Sequence, residues 1–206
     1  MSKIWVSSDF HYNHSNICYG ISKWANREKN CRKFNSLEEM NNALVKNINR
    51  NVQYEDTLYF LGDWAFGGIE SIWQFRAQIN CGNIIFITGN HDHHIKSNKI
   101  LPNYIDYLDP PVKAQEIFTE VHNYLEVTIN GQIFVMSHYP MEEWFEMDRK
   151  GSIMLHGHSH HALDQSFISI NYRRMDVGID WREFRPYEIS EIISIMEYRD
   201  LKKHSN

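Results

Sequence analysis

The chain has 206 residues, 42% hydrophobic and 23% charged, an ordinary balance for a soluble globular protein, with length for one well-packed domain over 1–206. Its net charge of -5, with no run of Lys or Arg longer than a pair, speaks against a protein that wraps duplex nucleic acid. The opening MSKIWVSSDF lacks an apolar run of signal-peptide length, and no later stretch nears the roughly 20 apolar residues of a membrane span. A cytoplasmic protein without a membrane partner is therefore expected. Cys18, Cys31 and Cys81 are odd in number and lack Cys-x-x-Cys spacing, which predicts free thiols in a reducing compartment.

In chain order, Lys3 to Ser7 reads as a buried strand ending at Ser8-Asp9. Residues 12 to 35 show no period and read as an irregular connection. Ser36-Leu37-Glu38-Glu39 has the form of a capping box, and Leu37, Met40, Leu44 and Ile48 carry a helix to about Arg50. Thr57 to Leu61 is a second strand, stopping at Gly62-Asp63. Ile69, Ile72, Trp73, Phe75 and Ile79 mark another amphipathic helix, and Ile84 to Thr88 a third strand before Gly89-Asn90-His91-Asp92. Strand, helix, strand, helix, strand is the order of a parallel α/β sheet. The second half differs. Tyr124 to Ile129 and Gln132 to Met136 flank Asn130-Gly131, the strongest short hairpin signal. Ser152 to Leu155 is a strand leading into His156-Gly157-His158, with further strands expected at Phe167 to Ile170 and Met175 to Ile179. A last helix begins near Ser190, with Lys202 and Lys203 favouring its dipole.

Histidine is the unusual residue: of the 12, most lie in tight groups at 11 and 14, at 91, 93 and 94, at 138, and at 156, 158, 160 and 161. Five segments put Asp, Asn or His directly after an apolar strand: Asp9-Phe10-His11, Gly62-Asp63, Gly89-Asn90-His91-Asp92, Ser137-His138 and Gly157-His158-Ser159-His160. Ligands of open α/β sheets gather at the carboxyl ends of strands, so these segments can converge on one site. Glycines before Asp63, Asn90 and His158 let the backbone turn and approach an ion closely. Imidazole mixed with carboxylate suits Zn, Mn, Fe, Co or Ni, whereas Ca and Mg prefer oxygen alone. Asp9, His11, Asp63, Asn90, His138, His158 and His160 are more donors than one ion uses, and two ions sharing a carboxylate account for the surplus. His91, beside Asn90, is placed to protonate a leaving alkoxide, with Asp92 as its orienting partner.

In this order the five motifs resemble the calcineurin-like metallophosphoesterase superfamily, over residues 9 to 160. The resemblance implies a two-sheet β-sandwich flanked by helices, an α/β fold, and a hydrolase of phosphate esters. It implies one metal held by Asp9, His11, Asp63 and His160, and a second by a bridging Asp63 with Asn90, His138 and His158. The ions would be divalent transition metals (Mn, Fe, Zn or Ni, manganese favoured), with a bridging hydroxide attacking phosphorus in line and His91 aiding the leaving group. Protein phosphatases of the superfamily carry Asp-Arg-Gly after Gly-Asp and Glu after Asn-His. Here Trp64-Ala65-Phe66 follows Asp63, and Asp92 follows His91, which argues against that branch. Asp9, His11, His14 and Asn16 resemble small stand-alone bacterial and phage members, as does His138-Tyr139-Pro140 with Trp144.

The expected substrate is a small phosphorylated molecule, with a nucleotide phosphodiester as the first choice. A nuclease on single strands or ends, and a non-catalytic protein-binding scaffold, are the alternatives. His14 divides evenly between a structural hydrogen bond and a substrate phosphate contact. His156 is expected to end its strand, and His93, His94 and His161 to lie in solvated loops, with His122 and His204 on the surface. Trp24, Trp64 and Trp144 are candidates for the pocket border. Arg27, Arg32 and Lys33 could steer an anion, although a solvated face is the expected role. A metallo-β-lactamase arrangement would need Asp at His160, and neither a zinc-deaminase motif nor a Walker A loop is present.

Overall fold

Side-chain alternation along short strands decides how the layers stack, in a computed structural model that describes residues 2–21, 32–101, 111–149, 151–160, 173–180 and 182–203. Strands β1 (Ile4–Ser7), β2 (Thr57–Phe60), β3 (Asn83–Ile87) and β4 (Glu120–His122) lie parallel in the order β4-β3-β2-β1. A two-residue strand β9 (Tyr187–Glu188) closes that sheet antiparallel to β1. The second sheet has the order β5-β6-β7-β8, from β5 (Tyr124–Ile129), β6 (Gln132–Ser137), β7 (Ile153–His156) and β8 (Arg174–Asp176). Its β5 and β6 form an antiparallel hairpin, whereas β6, β7 and β8 run parallel.

Alternate residues of the first sheet serve two different cores. Trp5, Leu58, Phe60, Ile84 and Phe86 face helices α2 (Leu37–Asn51) and α3 (Ile69–Arg76), meeting Met40, Leu44, Ile48, Ile72 and Phe75. Their neighbours Val6, Tyr59 and Ile87 face the other way, onto Phe134, Met136, Ile153 and Leu155 of the second sheet. The period-2 pattern thus gives helices, sheet, sheet in sequence. The outer face of the second sheet, Val135 and Met154, is covered by Trp144. The C-terminal helix α5 (Ile189–Lys203) closes the inter-sheet core with Ile192 and Met196. The chain therefore has two mixed sheets with flanking helices, as expected of the α/β sandwich.

The helix signals hold locally. Ser36 Oγ accepts from Glu39 N–H at 3.0 Å, and the Glu39 carboxylate reaches back to Asn35 N–H at 3.1 Å. Asn130 and Gly131 take φ of 51° and 82°, the positive pair that a tight hairpin needs. Several features differ from the sequence expectations: β4 and β9 were not expected, and the strand expected at Met175 to Ile179 is β8, Arg174–Asp176. A short helix α1 (Ser15–Cys18) interrupts the connection after β1, α3 ends at Arg76 instead of reaching Ile79, and another short helix, α4 (His93–Lys96), follows β3. The expected strand at Phe167 to Ile170 lies outside the described residues, as do Trp24, Arg27, Cys31, His161 and His204. Cys18 and Cys81 are both buried. Among the described residues no helix is long and apolar enough to cross a membrane.

Candidate metal centre

Five chain segments leave the carboxyl ends of β1, β2, β3, β6 and β7 and turn into one place. Asp9, His11, Asp63, His158 and His160 have φ between 47° and 67°, in the left-handed region that non-glycine residues rarely occupy. Such strain concentrated on candidate ligands is a mark of a functional site. Backbone bonds lock the first two loops together: Asp9 N–H donates to Gly62 O at 2.9 Å and His11 N–H to Asp63 O at 3.0 Å. Gly62 has φ of 92°, and a Cβ there would sit 2.7 Å from His138 Nδ1. At Gly157 a Cβ would sit 2.5 Å from an Asp9 carboxylate oxygen, so only glycine lets this loop approach.

All seven predicted ligands come together, in two lobes around Asp63. In the first, His11 Nε2 lies 3.7 Å from Asp9 Oδ1, 3.8 Å from Asp63 Oδ2 and 3.3 Å from His160 Nε2. In the second, His138 Nε2 lies 3.6 Å from Asp63 Oδ2, while Asn90 Oδ1 is 2.8 Å from His138 Nε2 and 2.9 Å from His158 Nδ1. Asp63 Oδ1 accepts from the His91 backbone N–H at 2.9 Å, which leaves Oδ2 facing both sets of imidazoles. Donor atoms of Asp9, His11 and His160, and of Asp9, Asp63 and His138, all fall within 4.8 Å of one another. The His91 ring, 40% exposed, stands at the open side with Nε2 3.9 Å from Asp63 Oδ2.

These residues fit a resident cation. His138 Nδ1–H donates to Leu61 O at 2.8 Å and His160 Nδ1–H to Asp180 Oδ2 at 2.6 Å, which turns both Nε2 atoms inward. The facing Nε2 atoms of His11 and His160 favour a shared cation, whether a proton or a metal. Burial pushes the Asp9 carboxyl up to about 6 despite the pull of His160 and His138. Burial would lower His160, but the Asp9 charge and the Asp180 hydrogen bond outweigh it and raise the imidazole to about 9. His11 is driven well below its ordinary value by burial, then by His160 and Arg32. Burial also lowers His91 and His158. Buried carboxylates mixed with imidazoles form a donor set that suits a divalent transition metal.

A family model described as "Calcineurin-like phosphoesterase" matches residues 2–164. The chain belongs to that family. An uncharacterized protein of Methanocaldococcus jannaschii is 29% identical over 201 residues, covering 96% of this chain and 93% of its own length. The gene 66 protein of Mycobacterium phage D29 is 25% identical over 227 residues, covering 96% of this chain and 98% of itself. A solved structure of a protein of unknown function from Aquifex aeolicus shares the fold, with a TM-score of 0.66 at 21% identity over 95% of this chain and all of that one. Family membership and the Asp and His clusters together support a metal-dependent phosphoesterase.

Around the phosphoesterase centre several side chains take roles other than those expected. Asp92 is buried, and its carboxylate accepts from the backbone N–H groups of Asp63, Trp64 and Gly89 at 2.8, 3.0 and 2.7 Å. It ties the β2 and β3 loops together instead of orienting His91, because three amides converge on both of its oxygens. Trp64 and Trp144 are buried in separate cores and do not border the pocket. Phe66 does: it stacks on His14 at 3.7 Å between centroids and packs on His91 at 4.6 Å. Tyr139, 47% exposed, lies against His158 at 4.8 Å on the other rim. His14 sits beside His11, and burial, with Arg32 and His91, lowers it to about 4. His156 is fully buried and its Nδ1–H donates to Gly157 O at 2.9 Å, as expected of a strand end. Arg32 is neither a steering group nor solvated: its side chain is 2% exposed and pairs with Asp180 at 2.7 Å. Nothing near Asp180 in the sequence announced that partnership, since the two residues are 148 positions apart.

Proposed function

We propose that this phosphoesterase hydrolyses a phosphodiester of a nucleotide or similar small molecule, in the cytoplasm, with two divalent ions and manganese favoured. The observation that supports the pair of ions is Asp63 Oδ2, 3.8 Å from His11 Nε2 on one side and 3.6 Å from His138 Nε2 on the other. Asp9, His11, Asp63 and His160 would hold one ion, and Asp63, Asn90, His138 and His158 the other. Ions there would neutralise phosphoryl charge and make water nucleophilic at neutral pH.

The protein's own groups do the rest. His91 stands at the open side, where it donates to a phosphoryl oxygen and, in its protonated form, delivers a proton to the departing alkoxide. Burial lowers its pKa, and its proton matters most to poor leaving groups, whose alkoxides are the most basic. His14 is neutral at physiological pH and serves as a hydrogen-bonding contact to substrate phosphate, not as a fixed positive charge. Phe66 and Tyr139 give the mouth two aromatic walls that suit a planar substituent on the substrate.

The test is hydrolysis of a chromogenic phosphodiester and its monoester by chelator-stripped protein reloaded with Mn, Zn, Ni or Fe. Metal-dependent turnover with the diester faster is expected. A faster monoester would reassign the substrate class, and no turnover in folded, metal-loaded protein would leave a very selective enzyme or the non-catalytic scaffold.

A further inference from the structure

Arg32 makes an unusually complete set of contacts for a residue outside the ligand loops. Its Nε–H donates to Asp180 Oδ1 at 2.7 Å, Nη1 to Phe10 O at 2.6 Å and Nη2 to Asp9 O at 2.7 Å. The guanidinium also lies over the Phe184 ring at 5.1 Å. Asp180 divides its carboxylate: Oδ1 goes to Arg32 and Oδ2 accepts from His160 Nδ1–H at 2.6 Å. The three side chains are buried, at 2% for Arg32 and 6% each for Asp180 and His160.

Two neighbours of one ion site are thus held from behind by a single planar cation. Through Asp180 it fixes which nitrogen of His160 carries the proton and where the ring points. Through the Asp9 and Phe10 carbonyls it pins the loop that carries Asp9 and His11, whose positive φ values the loop would not hold unaided. Groups behind a metal-binding histidine are worth about 10- to 100-fold in metal affinity. In the second lobe the corresponding support is a backbone carbonyl, Leu61 O on His138.

We propose that Arg32 and Asp180 are positioning residues for one ion of the pair, the one held by Asp9, His11 and His160, and not for the other. This rests on the two-ion assignment above. The fork geometry matters as much as the charge, because a Lys ammonium cannot span Asp180 and two carbonyls in one plane.

The experiment is calorimetric titration of chelator-stripped protein with Mn²⁺ alone, for the wild type, Asp180→Asn and His158→Ala. Wild type is expected to bind two ions with separable affinities. Asp180→Asn is expected to weaken one of them about 10- to 100-fold and leave the other unchanged, and His158→Ala to weaken the opposite one. Arg32→Lys keeps the buried cation opposite Asp180, gives the same selective loss, and serves if Asp180→Asn fails to fold. Affinities unchanged in both variants, or both sites weakened alike, would overturn the proposal while leaving two ions in the wild type. Fewer than two ions in the wild type would sink the dinuclear assignment itself, and this proposal with it.

Discussion

Asp63 concentrates the chemistry of the site in one carboxylate. Its Oδ2 faces His11, His138 and His91, so Asp63→Ala is expected to lose both ions, read by metal analysis after dialysis. Two ions retained in that variant would refute the bridging role. His91→Ala is expected to keep its metals and to lose about 10²- to 10⁴-fold in turnover with poor leaving groups, with good leaving groups affected least. Because burial holds its pKa below the usual 6.5, wild-type rates on poor leaving groups should fall as pH rises through a value under 6.5. The convergence of the seven candidate ligands was legible because donor chemistry directly after an apolar strand is a local signal. Arg32 and Asp180 were not, since a buried pair formed across 148 positions leaves no mark near either residue. Asp92 misled for the opposite reason. An acid next to a histidine in sequence looks like its partner, yet both oxygens here answer backbone amides.

At the level of elements, the signals that survived carry several independent cues. Helix α2 has a cap, an acidic first turn and a buried stripe of Met40, Leu44 and Ile48. Ser36→Ala removes the acceptor for Glu39 N–H and is expected to cost about 1 kcal/mol, measured by denaturant melting. A change below a few tenths of a kcal/mol would show that the cap is dispensable. The strands missed were β4 and β9, only three and two residues long, Glu120–His122 and Tyr187–Glu188. Elements of that length exist because a neighbouring strand offers its edge, as β1 does at Trp5 and Val6, and no period can be read from them. The four-residue α1 and α4 are likewise set by the turns around them.

For the whole molecule, the electrical balance of the centre ties stability to metal and pH. His160 has its pKa raised to about 9 in the fold against 6.5 in the unfolded chain, through Asp9 and Asp180 and against burial. The stabilisation from its proton is complete below 6.5 and is lost as pH rises through about 9. Metal-free protein is therefore expected to melt at progressively lower temperature from pH 6.5 to 9, whereas metal affinity grows over that range because binding displaces the proton. Thermal scans with and without Mn²⁺ check this, and a gap that narrows towards pH 9 would contradict it. The donors come from both sheets: Asp9, His11, Asp63 and Asn90 follow β1 to β3, and His138, His158 and His160 follow β6 and β7. An ion held by both would act as a rivet through two plates. Amide hydrogen exchange in the strands of both sheets should then slow together on metal loading, so that two layers which could breathe separately open as one.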